Sequence, residues 1–333
     1  MNKPLILLTL SFLTGCSSSW VPENEKFLPT SPTTSNSLNM KFLGVSNVYL
    51  DDGETSLLVD GFFSRVGYSA IIHGLETDTN AVDTVLDKAG ITSLNALLVA
   101  HTHFDHILDT EYVAKKMSIG QDIPTKIYGT DSGRNIITDH EYHTVSDGET
   151  INIGEFKVTF IETPHVKKTK RVEILEKIHL WATGGEEFAE AGENFSFYIE
   201  HKLGNVLVVP SASFFPRKFD GLQVDIIFIG AGLVGNQGIK YINNYWDETV
   251  GLSGARIVVP IHWDNFFKTL SEKLVPASDF VDDLALTMSV FHEKAKANPD
   301  VEIYLIHPLK NVNLQNALDC SASNKDSIEI YKK

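Results

Sequence analysis

The chain has 333 residues, 43% of them hydrophobic and 21% charged, which is enough for one large core and too apolar for wholesale disorder. Its 28 Lys and Arg stand against 43 Asp and Glu, leaving a formal charge of −15 with no dense basic cluster, so no nucleic acid is expected among its partners. The only cysteines are Cys16 and Cys320, which excludes a disulfide framework and a cysteine-rich zinc module.

Lys3 is followed by an apolar run from Pro4 to Leu13, too short to span a bilayer as a mature helix. A charged start and a brief apolar stretch are the layout of a secretory signal, and residues 1–15 are read as one. The run ends in Leu13-Thr14-Gly15-Cys16, which resembles a bacterial lipobox. That resemblance implies a lipid on Cys16 and a membrane as partner through it. The serines after Cys16, with no Asp at 17, resemble the pattern that permits outer-membrane sorting, so a site in the cell envelope facing the periplasm is expected. Residues 16–39, rich in Ser, Thr, Pro and Asn, read as a lipidated flexible tether dispensable for folding. The folded domain is expected over residues 40–310, with 311–333 as a C-terminal tail.

From Met40 the elements follow in order. Phe42–Leu50 and Thr55–Asp60 flank the turn Asp51-Asp52-Gly53-Glu54 as a hairpin. Ala81, Val82, Val85, Leu86 and Ala89 recur at helical spacing, and Gly90 stops that helix. The apolar run Leu94–Ala100 is a buried strand. Hairpins follow around Gly154 (150–153 with 156–162) and Gly204 (195–201 with 206–209). Strands at 224–229 and 257–261 enclose a helix around 239–252, and a helix at 280–297 precedes a strand at 301–306. The charged, helix-prone stretch from Lys167 to Ile178 sits in a long gap and reads as an insertion over the site. Hairpins first and alternating strands and helices later make a layered α/β sandwich with mixed sheets.

The strand at 94–100 feeds His101-Thr102-His103-Phe104-Asp105-His106, three of the chain's 12 histidines within six residues. On an extended segment residues 101 and 103 point to the same side, so both imidazoles can reach one ion. A turn after them sends Asp105 and His106 toward a neighbouring ion. Imidazole and carboxylate suit zinc, and also iron or manganese.

These residues resemble the metallo-β-lactamase fold superfamily over about residues 40–306. The resemblance implies a four-layer αββα sandwich with metal at one sheet edge. It matches Asp60 in Leu57-Leu58-Val59-Asp60-Gly61, the run His101–His106, His165 in Glu162-Thr163-Pro164-His165 and His262 in Val259-Pro260-Ile261-His262-Trp263. By this match His101, His103 and His165 hold one metal, and Asp105, His106 and His262 the other. The Pro-Ile-His-Trp phrase is similar to the branch with sugar-phosphate lactonases and N-acyl-phosphatidylethanolamine phospholipase D. Where the family has a bridging acid after the strand at 206–209, this chain has Ser211, in Val209-Pro210-Ser211-Ala212-Ser213. A site one carboxylate short offsets the repulsion between two ions less well, so the second ion is expected to bind more weakly.

Gly230-Ala231-Gly232-Leu233-Val234-Gly235 fits a dinucleotide-binding pattern, but Asn236-Gln237-Gly238 interrupts the helix such a site needs. It reads as a tight loop near the metals. The function expected is hydrolysis of a small-molecule ester, lactone, amide or phosphodiester by water activated on one or two zinc ions, with iron or manganese as alternatives. Asp105 serves as the catalytic carboxylate besides being a ligand, and Phe104 and Trp263 wall the pocket. The alternative is a non-catalytic or single-metal binding lipoprotein that retains the fold. A redox iron site is disfavoured by export without a flavin or electron-transfer domain.

Overall fold

The computed structural model describes residues 17–35, 37–65, 67–68, 74–183 and 192–330. The expected signal peptide and Cys16 lie outside the described residues. Two seven-stranded mixed sheets form the body, and one hydrophobic cluster runs through both. The first has the order β14-β1-β2-β3-β4-β5-β6, built from Asn39–Phe42 (β1), Val48–Asp51 (β2), Ser56–Val59 (β3), Ala96–Leu98 (β4), Lys126–Gly129 (β5), Tyr142–Thr144 (β6) and Asn311–Asn313 (β14). The second has the order β13-β12-β11-β10-β9-β8-β7, from Thr150–Ile153 (β7), Phe156–Glu162 (β8), Phe195–Glu200 (β9), Val206–Val209 (β10), Ile226–Gly230 (β11), Ile257–Ile261 (β12) and Glu302–Ile303 (β13).

Each sheet has three antiparallel pairings followed by three parallel ones. The inner parallel strands β11 and β12 are buried along their length, as continuous apolar runs such as Ile226–Ile229 require. Helices cover the sheets. Thr79–Ala89 buries Val82, Val85, Leu86 and Ala89, starts at Asp78, whose carboxylate accepts the Asn80 and Ala81 N–H groups, and stops at left-handed Gly90. Thr110–Met117 packs on β4 and β5, and Leu284–Ala297 packs beside β13. This is the αββα sandwich that the motifs imply.

Several boundaries differ from the sequence reading. The stretch Phe42–Leu50 is two strands, because Gly44 (φ +81°) and Val45 (φ +50°) turn the chain between β1 and β2. A Cβ at Gly44 would collide with the Arg65 guanidinium, so the turn admits little else. The segment read as a tether is packed against the domain from Ser17 onward. Trp20 and Leu28 are buried, Phe27 bridges to Leu305, and Trp20 meets Trp263 edge-to-face at 5.1 Å between ring centroids. Few apolar residues suffice, because the polar ones are bonded: Ser19 N–H donates to the Asp279 carboxylate at 2.9 Å, and Ser31 N–H to Asn311 O at 2.9 Å. The tail read over 311–333 likewise begins as β14, paired with β1, and continues as the helix Leu314–Ile330, with Val312, Leu314 and Ala317 fully buried.

A chain beginning at Met40 should therefore be less stable than one beginning at Ser17. Trp20→Ala alone should remove about 3 kcal/mol, the usual cost of deleting a large buried aromatic. Unfolding in urea measures both, and unchanged midpoints would mean that the segment merely rests on the surface.

Candidate metal centre

The expected residues gather where strands of both sheets end. Asp60 follows β3, His101–His106 follow β4, His165 follows β8, Ser211 follows β10 and His262 follows β12. Crevices outside the carboxyl ends of parallel strands are where sheets of this kind bind ligands. His101, His103 and His165 form one group, and Asp105, His106 and His262 a second, with one nitrogen or carboxylate oxygen of each residue within 4.8 Å of the others in its group. Both are the groupings drawn from the sequence.

Local structure sets each ring. His103 is extended (φ −64°, ψ 146°), which puts it on the same side as His101, with His101 Nε2 and His103 Nδ1 2.9 Å apart. The short helix Phe104–Ile107 then swings Asp105 and His106 away toward His262. Asp105 Oδ2 lies 3.2 Å from His262 Nε2 and 3.8 Å from His106 Nε2. His165 Nδ1 donates to the Val166 carbonyl at 2.7 Å, which leaves Nε2 as its free lone pair.

A second set of residues holds the ligands in place. Asp60 accepts from His106 Nδ1 at 2.7 Å, from the Ser46 hydroxyl and from the Ala100 N–H at 2.8 Å, so Nε2 of His106 faces Asp105. His262 is left-handed (φ +58°), and its N–H donates to Val45 O at 2.6 Å. Val45 N–H in turn donates to Asp264 Oδ1 at 2.8 Å, and Arg65 Nη1 to Asp264 Oδ2 at 2.6 Å in a buried ion pair. Both oxygens of Asp264 are thus engaged in positioning the His262 turn. The loop 230–235 passes over the same turn, where a Cβ on Gly232 would lie 2.9 Å from His262 O. This is the tight loop expected there; a single 3-10 turn spans Gly235–Gln237, and the α-helix begins only at Ile239, beyond Gly238.

Electrostatics suit cation binding. Burial pushes His101 and His103 well below the usual histidine range, and burial pushes His165 down to about 4. Burial opposes the charge of Asp105, but His106, His262 and His103 outweigh it and hold the carboxyl well below its ordinary value. Neutral imidazoles and an ionised carboxylate are the forms that ligate metal. His106 runs the other way: burial lowers it, and the carboxylates of Asp60 and Asp105 more than reverse that. His101 Nδ1 and His103 Nε2 are buried without a hydrogen-bond partner, and the ligand atoms of each group lie within 4.8 Å of one another, so the residues present fit a cation.

Ser211 is buried at the cavity wall, where its hydroxyl accepts the Val166 N–H at 3.1 Å. Phe104 lines the cavity as expected, whereas Trp263 points into the core against Trp20 and Phe42. Residues 168–180 of the insertion line the cavity through Lys168, Val172, Leu175, Glu176, His179 and Leu180. Sequence reading missed Ser46, Arg65, Phe266 and Phe267, none of which carries a motif.

No protein-family model matches the chain, and no curated protein matches it in sequence. Solved structures do match in fold. Igni18, a metallo hydrolase from Ignicoccus hospitalis, aligns at TM-score 0.51 and 12% identity over 83% of this chain and 98% of its own. The metallo-β-lactamase fold protein YhfI from Bacillus subtilis aligns at 0.50 and 16% identity over 84% and 100%. CmlA, a diiron β-hydroxylase from Streptomyces venezuelae, aligns at 0.50 and 14% identity over 85% of this chain and 55% of its own. The chain has the metallo-β-lactamase fold. Within that fold the two residue groups stand on the strand ends that the motif order assigned to them.

The metal-stripped protein should lose stability as pH falls from about 6.5 toward 4. Its three depressed histidines are neutral when folded but protonated when unfolded in that window, so the unfolded state binds more protons and stability rises with pH. His106, raised instead, is protonated in both states across this window, and the groups that oppose the trend are Asp109 and Asp282, whose carboxyls burial raises, two against three. Urea midpoints measured across this range check it, and a flat profile would contradict neutral burial of the three rings.

Proposed function

We propose that the protein is a metal-dependent hydrolase acting on an ester, lactone, amide or phosphodiester in a small-molecule substrate. One observation carries this reading: two three-residue groups meet beside one cavity of about 410 Å³, which all of them but His101 line. The residues of both groups would hold divalent ions, and the chemistry such ions would supply is activation of a water and polarisation of the scissile oxygen. His101, His103 and His165 would hold the first ion, three neutral imidazoles that leave a position open, as a catalytic zinc site requires. Asp105, His106 and His262 would hold the second. Asp105, kept ionised and facing the cavity, would orient the attacking water and accept its proton. Asp60 and Ser46 fix the His106 ring, and the Arg65–Asp264 pair fixes the His262 turn.

Zinc is the metal proposed, and iron and manganese accept the same donors. A second reading, a single-metal or non-catalytic binding protein, is favoured by Ser211, whose hydroxyl serves the Val166 backbone rather than supplying a charge between the groups. Elemental analysis separates the readings. His103→Ala should empty the first position and abolish hydrolysis of esters, lactones and phosphodiesters. Ser211→Asp should raise occupancy toward two ions per chain. Two ions already bound in the unaltered protein, with no change in Ser211→Asp, would mean that another group bridges them.

The Leu13–Cys16 motif supports a further part of the proposal, a lipid on Cys16 that anchors the protein in the cell envelope, at the outer membrane facing the periplasm. Among the described residues no helix is long and apolar enough to cross a membrane. Cys16→Ser should move the protein to the soluble fraction of lysed cells. Retention in the membrane fraction would place the anchor elsewhere.

A further inference from the structure

Beyond the ligand groups the cavity lining changes character. Phe104, Phe266, Phe267, Val172, Leu175 and Val281 all contribute to it. The Phe266 and Phe267 ring centroids lie 4.9 Å apart and those of Phe104 and Phe266 5.8 Å apart, so the three rings form one continuous surface. Leu175, Phe267 and Val281 also belong to a small hydrophobic cluster around Ile178, separate from the main core. That cluster joins the inserted helix Lys170–Thr183 to the 265–281 segment. The charged lining residues are already spent on each other or on the backbone. Lys168 Nζ pairs with Glu176 at 2.7 Å, and Asp282 accepts the Leu233 N–H at 2.7 Å.

A substrate rich in hydroxyls or phosphates would leave its polar groups unpaired against this wall, which is costly. An apolar chain loses nothing there. We propose that the cavity binds an acyl chain, so that the substrate is an acyl ester or amide with its carbonyl at the ligand groups and its chain along the Phe104–Phe267 and Leu175 surface. The placement of the carbonyl rests on the hydrolase reading; binding of the chain does not. A volume of about 410 Å³ holds roughly a dozen water-sized groups, which suits a chain of medium length.

The chain can come from a bilayer lipid or from a dissolved ester. The N-terminal segment bears on this choice. Ser17 O accepts the Asp279 N–H at 3.3 Å, between the cavity-lining residues Ser278 and Val281. An anchor on Cys16 would therefore leave the domain one residue from the rim of the cavity.

The test uses the zinc-loaded full chain with p-nitrophenyl acetate, butyrate, octanoate and dodecanoate, beside calorimetric titration with dodecanoate. The value of kcat/KM should climb about threefold per added methylene until the cavity is full. Dodecanoate should bind at least tenfold tighter than butyrate, and should still do so in His103→Ala. Leu175→Trp, which fills the cavity, should shift the preferred ester to a shorter chain and weaken dodecanoate at least tenfold. Val172→Trp repeats that test should the first variant fail to fold. Tight dodecanoate binding with no hydrolysis of esters, lactones, amides or phosphodiesters would sink the hydrolase reading and leave chain binding standing. Equal rates for acetate and octanoate, with dodecanoate bound no better than butyrate, would overturn the acyl assignment. Dioctanoyl phosphatidylglycerol in vesicles, compared with dissolved octanoyl ester, identifies the source as bilayer or solution by the faster arm.

Discussion

Five imidazoles and two carboxylates converge on one edge of this sandwich, and most of them are closed to water. A fold tolerates such a cluster only where each group is neutral, paired or ligated. The structure meets that condition unevenly. Asp60 pairs with His106, and Asp105 lies between His106 and His262, so this half is balanced by its own charges. The half made of His101, His103 and His165 has no acid of its own and survives as neutral rings. The groups thus differ in kind: one is electrostatically closed, while the other keeps nitrogen lone pairs without counter-charge.

The backbone around the two groups is constrained as well. Asp60, His262 and Val45 all occupy the left-handed region, where residues with a Cβ rarely sit. Each is over-determined by hydrogen bonds: Asp60 N–H to Leu98 O at 2.8 Å, His262 N–H to Val45 O at 2.6 Å and Val45 N–H to Asp264. Strained conformations persist when neighbouring bonds leave no alternative. Here they aim side chains from two different sheets at one place, which relaxed strand ends do not.

Much of this was legible in the sequence because ligands bunch on short segments at strand ends. His101, His103, Asp105 and His106 sit within six residues, and their extended-then-helical path is a local property. His165 and His262 each follow an apolar run whose strand character is unmistakable. What holds the rings is not local. Ser46, Arg65 and Asp264 come from turns far apart in the chain, and only folding brings Arg65 to Asp264. The N-terminal segment misled for a related reason. Its composition is that of a linker, yet Trp20 and Leu28 find pockets prepared by residues near 263 and 305. Strand β14, three residues long and rich in Asn, carries no periodicity at all, and its place is set by pairing with β1.

Ser211 ties these threads together. A carboxylate there would neutralise the lone-pair-rich half and couple it to the balanced half, giving two ions comparable sites. A hydroxyl instead accepts a backbone N–H from Val166, the residue whose carbonyl orients His165. The position thus helps to aim one ring. With that charge absent, the cavity beyond is left with few uncompensated charges, since Lys168 and Glu176 cancel and Asp282 is tied to Leu233. On the reading proposed above, an apolar wall beside the two groups suits a substrate that joins a carbonyl to hydrocarbon. With a hydroxyl at Ser211 the two groups share no acid between them, so a bound cation there would keep more of its positive charge, while the wall beyond offers apolar surface.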